Sequence, residues 1–150
     1  TVDNAGQEVN RNRVVDLENF NPHNRGVFTY NHFINDFRLL ARLRTYDDWV
    51  VSSFSGDTTA RGANGTGYAI NCGVNLDQCY DGSNVVDLEA AYTWNDNYTF
   101  VVGANNAFDK EGARDVDNAD GTIGSGNLYT GSTPWGMEGA FYYARVRVDF

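Results

Sequence analysis

Apolar and polar residues alternate with a period of two along five stretches of this chain. The clearest stretch is the last, GAFYYARVRVDF, where every second residue back from Phe150 is apolar and Arg145, Arg147 and Asp149 lie between them. A period of two is that of a β-strand, whose successive side chains point to opposite faces of a sheet. The five predicted strands cover residues 25–33, 36–46, 84–94, 98–108 and about 135–150.

Two segments allow more than one interpretation. Residues 36–46 contain FRLLARLR, which also fits an amphipathic helix, although no capping residue precedes such a helix in register. Residues 8–20 alternate more weakly and allow a sixth strand. We therefore expect residues 1–24 to be an outer loop or a poorly defined strand end, and residues 25–150 to hold the main strands.

The predicted strands are joined by short and long connections in turn. The short ones are IND and NDN, and the long ones cover about 53–83 and 109–134, which are rich in glycine and asparagine. Outer-membrane β-barrels show this order, with short periplasmic turns and long outer loops. We therefore predict an all-β, antiparallel transmembrane β-barrel in a bacterial outer membrane, with extracellular loops and a periplasmic carboxyl terminus.

Composition and charge narrow the class of protein further. The chain has 150 residues, 16 glycines, 14% aromatic residues and a net charge of −9. No basic stripe is present to neutralise phosphates, so we expect no nucleic-acid partner. The first residues, TVDNAGQEVN, lack the pattern of a signal peptide. Since five or six strands are also fewer than the roughly eight of the smallest single-chain barrels, we expect this chain to be part of a longer protein.

The alternation sorts side chains between lipid and lumen. The residues predicted to face lipid at the end of the chain are Tyr142, Ala144, Val146, Val148 and Phe150. The residues predicted to face the lumen are Arg38, Arg42, Arg44, Asp87, Glu89, Tyr143, Arg145 and Arg147. An arginine on the lipid side would cost about 2–4 kcal/mol at the bilayer midplane. In the lumen, the arginines of residues 36–46 can instead pair with the two carboxylates of the next long strand.

Short motifs follow one another in the second half of the chain. VVDLEAAYTW precedes a tight turn, the next strand ends in NNAFDK, and a PWG step leads to the final YYARVRVDF. The residues that form these motifs are Asp87, Leu88, Tyr92, Trp94, Asn105, Asn106, Phe108, Asp109, Lys110, Pro134, Trp135 and Gly136. NPHNR, at residues 21–25, is a looser match to a strand entry. Together these motifs resemble the carboxyl end of TonB-dependent receptors, from about Val85 to Phe150.

This resemblance implies a barrel of about 22 strands with a plugged lumen, of which this chain holds about the last five or six. It implies import of a scarce nutrient by a Gram-negative bacterium, the cargo being an iron chelate such as a siderophore, a vitamin or an oligosaccharide. Energy would come from an inner-membrane TonB complex, through a part of the receptor that precedes this chain.

The resemblance also implies a set of partners. They are outer-membrane lipid, the remaining strands and plug of the same receptor, the TonB-type coupling protein and the barrel-assembly machinery. That machinery would recognise a terminal signal formed by Tyr142, Ala144, Val146, Val148 and Phe150. No enzymatic activity and no cofactor is implied, and the sequence contains no catalytic constellation.

Two further clusters carry chemistry. Cys72 and Cys79 are separated by six residues in a glycine-rich stretch, which predicts a disulfide in an oxidising compartment, with two unpaired thiols as the alternative. Asp115, Asp117 and Asp120 form a weak calcium candidate, because alanine occupies a position where a ligand is needed. A solvated acidic loop is the alternative for these three carboxylates.

Two other functions compete with the receptor. A small, complete outer-membrane barrel acting as an adhesin or structural protein suits the length of the chain but not its strand count. A secreted β-domain that binds carbohydrate suits the tyrosines of the long loops. Such a secreted domain would need each strand to bury one of its faces in the core of the domain.

Overall fold

The computed structural model describes residues 11–52, 70, 72, 77–114 and 128–149. Its elements are α1 (Arg11–Asn19), β1 (Arg25–Ile34), β2 (Phe37–Tyr46), β3 (Trp49–Val51), β4 (Gln78–Tyr80), β5 (Ser83–Trp94), β6 (Tyr98–Asn105) and β7 (Phe141–Val148). The chain divides into two compact units. One comprises Thr1–Asn24, Asp47–Gly82 and Ala113–Pro134, and the other comprises Arg25–Tyr46, Ser83–Gly112 and Trp135–Phe150.

The second unit is a five-stranded sheet in the order β1-β2-β5-β6-β7. Every neighbouring pair is antiparallel, which confirms the prediction of an antiparallel all-β fold. Residues 37–46 are strand β2, so the amphipathic helix considered for this segment is not formed. Within the described residues the sheet is open, with β1 at one edge and β7 at the other, and these strands do not close a barrel.

Short turns join the strands at one end of this sheet. Asn35 lies between β1 and β2 with a φ of 49°, and Asn95 and Asp96 lie between β5 and β6 with φ values of 52° and 59°. Asparagine and aspartate tolerate this left-handed region better than other residues with a side chain. The backbone N–H of Asp149 donates to the carbonyl of Asn97 at 2.9 Å, which ties the end of β7 to the second turn.

The sixth strand considered in residues 8–20 is wrong, because residues 11–19 form the helix α1. A helix satisfies its own backbone hydrogen bonds and therefore needs no neighbouring strand. In a strand, residues two apart lie on the same face and should be buried to a similar extent. Here Val15 is 1% exposed whereas Leu17 is 82% exposed. The arginine and glutamate side chains of this segment also favour a helix over a strand.

Two predicted strands are shorter than expected, and two short strands, β3 and β4, were not among the five predicted. β6 ends at Asn105 because Asn106 adopts a φ of 51°, and β7 begins at Phe141, after Gly136 with a φ of 92°. β4 lies inside the predicted loop 53–83, where it pairs with β3 in a separate two-stranded sheet. A strand of three residues is too short to show a reliable alternation.

The first unit has a small core around Trp49. This side chain is 1% exposed, stacks on Tyr80 with 5.0 Å between the ring centroids, and donates from Nε1 to Oγ of Ser132 at 3.3 Å. Asp16 of α1 accepts a hydrogen bond from the backbone N–H of Ser52 at 2.8 Å. The predicted disulfide joins Cys72 to Cys79, with 5.5 Å between the Cα atoms.

Replacement of both Cys72 and Cys79 by serine should destabilise the first unit, which a lower midpoint of thermal unfolding would show. A ring of this size contributes at most about 2–3 kcal/mol by the loop-entropy estimate. Peptide mapping of the protein under non-reducing conditions, with a protease that cleaves between the two cysteines, should find them in one linked peptide pair. Two free thiols in that map would contradict the disulfide.

Candidate functional site

One face of the five-stranded sheet is almost entirely apolar. Register partners on neighbouring strands share a face, so the pairing assigns each side chain to one side. The residues of this apolar face are Phe28, Tyr30, His32, Ile34, Phe37, Leu39, Ala41, Leu43, Val86, Leu88, Ala90, Tyr92, Trp94, Tyr98, Phe100, Val102, Ala104, Tyr142, Ala144, Val146 and Val148. Gly26, Thr45 and Asn84 lie on the same side at the end opposite the short turns. His32 is the most polar side chain in the first of these two sets.

Most of the apolar face is exposed. Tyr30, Val102 and Val146 are 63%, 58% and 60% exposed, on three different strands. Along β5 the face extends from Val86 to Trp94, which is about 26 Å at a strand rise of about 3.3 Å per residue. A contiguous exposed apolar surface of this size is rare in proteins surrounded by water and marks a contact with a membrane or another protein.

Aromatic side chains lie toward the two ends of the apolar face. At the end with the short turns, Phe37 packs on Tyr92 with ring centroids 4.5 Å apart, and Trp94 packs on Tyr98 at 5.6 Å. The side chains near the middle of the face are smaller, with Ala90 opposite Val102. Aromatic residues at both margins of an apolar band are typical of strands that cross a bilayer.

The opposite face, called here the polar face, carries the charged side chains of the sheet. All eight residues predicted to face a lumen lie on it: Arg38, Arg42, Arg44, Asp87, Glu89, Tyr143, Arg145 and Arg147. Two of the expected ion pairs form, between Arg38 and Glu89 and between Arg44 and Asp87, the second at 2.8 Å. Arg42 is the register partner of Asp87, yet no carboxylate of the described residues pairs with its guanidinium.

Glu89 connects three strands through its carboxylate. Arg38 of β2 donates to Oε1, and Tyr143 of β7 donates from its hydroxyl to Oε2 at 2.7 Å. Arg145, also on β7, lies 3.5 Å from Oε2. The Glu89 side chain is only 13% exposed, so these charge-assisted contacts are partly shielded from solvent. The single carboxylate therefore holds β2 and β7 to β5, although β6 lies between β5 and β7.

Gly103 of β6 makes the contact across β6 possible. It is the register partner of both Glu89 and Tyr143, so it lies directly between them. The Tyr143 ring covers this glycine, and a Cβ at residue 103 would overlap the ring, with Cε1 only 2.9 Å away. Sequence reasoning missed this role, although a glycine inside a strand is a known signal of a close approach.

The NNAFDK motif forms a turn that is fastened to β5. The backbone N–H of Asn106 donates to Oδ1 of Asp87 at 2.9 Å, and the Asn106 side chain bonds both the N–H and the carbonyl of Lys110 at 2.8 Å. Asp109, with a φ of 55°, accepts from the N–H of Ala140 at 2.8 Å. These residues shape the end of the sheet opposite the short turns.

Several predicted site residues lie outside the part of the chain that the structure describes. They are Asp115, Asp117 and Asp120 of the calcium candidate, and Phe150 of the assembly signal. Among the described residues, no group of three or more histidine, cysteine or acidic side chains is placed to hold a metal ion. Within the same residues, no helix is long and apolar enough to cross a membrane.

Comparisons of the chain with protein-family models, with curated proteins and with solved structures find no match. The resemblance to TonB-dependent receptors therefore stays a prediction from the sequence motifs. What the geometry adds is a sheet with one exposed apolar face, one charged face and two open edges.

Replacement of Gly103 by alanine should displace the Tyr143 ring and lengthen its hydrogen bond to Glu89. Overpacking of this kind costs about 1–3 kcal/mol, which should lower the midpoint of urea unfolding in detergent micelles. Gly131→Ala is the matched control, because a Cβ at residue 131 meets nothing within 4 Å. Equal unfolding midpoints for the two variants would show that the contact with Tyr143 does not stabilise the sheet.

Replacement of Glu89 by glutamine should leave Arg38 and Arg145 without their shared countercharge. We expect a loss of roughly 2 kcal/mol, less than for a fully buried pair because Arg145 is exposed. The double variant Glu89→Gln/Arg38→Gln should recover part of this loss in the same unfolding measurement. Strictly additive losses would contradict a direct interaction between Glu89 and Arg38.

Proposed function

We propose that this chain forms the carboxyl-terminal barrel strands of a bacterial outer-membrane receptor that actively imports a scarce nutrient. The observation that carries the proposal is the exposed apolar face of the five-stranded sheet, opposite a face of paired charges. In the proposal the apolar face contacts lipid and the polar face lines the lumen of a barrel.

The dimensions of the apolar face support a membrane location. Strands of outer-membrane barrels tilt by about 35–45°, so a face of about 26 Å along β5 covers about 20 Å of membrane depth. The apolar band of such barrels is about 25 Å tall. The aromatic pairs Phe37–Tyr92 and Trp94–Tyr98 would then lie at one margin of the band, as girdle residues do.

The strand directions support a larger barrel. Four successive antiparallel pairings make β1 and β7 run in the same direction, so they cannot pair with each other in an antiparallel way. Two copies placed edge to edge, β7 against β1, would meet the same obstacle. Unpaired edges in lipid would cost several kcal/mol for each backbone group. An odd number of further strands would complete an antiparallel barrel with an even total.

The narrower assignment, to a TonB-dependent receptor, is supported by the order of motifs from Asp87 to the final strand. The long connections after β2 and β6 would be outer loops, and the short turns would be periplasmic. Energy would reach the receptor from a TonB-type protein, and a plug would fill the lumen. The cargo would be an iron chelate, a vitamin or an oligosaccharide, and residues 142–150 would carry the signal for barrel assembly.

Uptake by intact cells tests this function. Cells with and without the gene should be compared for uptake of labelled ferric chelates, vitamin B12 and oligosaccharides under limitation for each nutrient. We expect uptake of one class to require the gene and to stop when a protonophore collapses the inner-membrane gradient. Gene-dependent uptake that continues with the protonophore would indicate a passive pore and would contradict active import.

Replacement of Val102 by arginine should prevent stable insertion into the outer membrane. Val102 lies in the central row of the apolar face, and a lipid-facing arginine near the midplane costs about 2–4 kcal/mol. Asn31→Arg is the matched control, because Asn31 is exposed at a similar height on the polar face. Membrane fractionation and heat-modifiable gel mobility measure the outcome, and equal insertion of both variants would contradict a lipid contact.

A further inference from the structure

A cavity of about 860 Å³ opens on the polar face at the end with the short turns. Its floor consists of small side chains from β5 and β6, including Ala91, Thr93 and Thr99. Arg38 of β2 lines one side, and Arg145 and Arg147 of β7 line the other. We call this space the arginine cavity; neither the sequence motifs nor the proposed function assigns it a role.

The pairing of the strands fixes this arrangement. Arg38, Ala91, Val101 and Arg145 are successive register partners, so they form one row across the sheet. Three strand spacings, about 14 Å, separate the backbones of Arg38 and Arg145. The short side chains of the two residues between them leave the space over the floor open. Both guanidinium groups reach toward the carboxylate of Glu89, which is two residues before Ala91 on β5, beside this floor.

Three arginines line the cavity, and the carboxylates that pair with them, Glu89 and Asp149, do not line it. Arg38 and Arg145 share the single carboxylate of Glu89, which also accepts from Tyr143. Each guanidinium has five N–H donors, so one carboxylate leaves most of them unused. Arg147 pairs with Asp149 at 2.9 Å, but its side chain remains 72% exposed. The carboxylate that lines the cavity itself is Asp36, in the turn after β1.

We propose that the arginine cavity binds a small ligand that carries two or more carboxylate groups. Its volume falls within the range of about 300–1,000 Å³ that is usual for small-molecule sites. Guanidinium groups match the two oxygens of a carboxylate, and Arg38 and Arg145 already hold one in Glu89. Three arginines of β2 and β7 line this one cavity, which favours a small anion over an extended acidic polypeptide.

The location of this site rests on the proposed function, because the polar face lines a lumen only if the sheet is part of a barrel. The site further requires that the plug leave the short-turn end of this lumen open to solvent. Binding in detergent micelles, however, requires neither lipid nor energy. Citrate binding without any gene-dependent uptake would therefore contradict the transport proposal and leave the site intact. Gene-dependent uptake without citrate binding would contradict the proposed site and leave the transport proposal intact.

The test uses citrate as the probe and the full protein in detergent, at constant ionic strength. Phenylglyoxal modifies exposed arginines, and peptide mapping gives a rate for each one. Citrate should slow the modification of Arg145 and Arg147 but not of Arg42, which is exposed on the same face and does not line the cavity. Equal protection of all three arginines, or none, would overturn the proposal.

Titration calorimetry with two variants completes the test. Arg145→Gln should weaken citrate binding by about tenfold or more, because a charge-assisted contact is lost. Arg42→Gln removes the same charge from the same face and should change the affinity by less than about twofold. An equal loss in both variants would mean a general charge effect, and binding of a poly-glutamate peptide without binding of citrate would favour a polypeptide. Either result would overturn the small-ligand site.

Discussion

A sheet with an exposed apolar face must place that face against something other than water. In this chain the constraint applies to all five long strands at once, because the register brings their apolar residues to the same side. A slip of one residue in β2, β5 or β7 would turn its arginines or carboxylates to the apolar side. The two-faced sheet therefore restricts both the pairing of the strands and the surroundings in which it is stable.

The polar face is held together by contacts that only this register permits. Glu89 gathers Arg38, Arg145 and Tyr143 from the strands on either side. Gly103 leaves room for the tyrosine ring to cross β6. At the other end of the sheet, Asp87 joins Arg44 to the turn that begins at Asn106. The same network positions the arginines around the cavity at the short-turn end, so strand pairing and anion binding depend on the same residues.

The sequence predicted those parts of the fold that depend on local pattern. Alternation located the five long strands to within a few residues, except at the start of the last one, and cysteine spacing predicted the disulfide. The helix of residues 11–19 was missed, because its burial rests on contacts such as that of Asp16 with the distant Ser52. Pairing of Arg38 and Arg44 with the carboxylates of β5 was expected from charge alone. The role of Gly103 was not, because it follows from a register that no single strand reveals.

Spin labels at two adjacent residues of β7 test the central claim most directly. Cysteines introduced at Ala144 and Arg145 of the full protein can be labelled selectively, because Cys72 and Cys79 are joined in a disulfide. In reconstituted membranes, the label at residue 144 should be accessible to oxygen, which concentrates in lipid, and shielded from a water-soluble nickel chelate. The label at residue 145 should show the reverse. Equal accessibility of both labels to the nickel chelate would contradict a lipid-facing sheet.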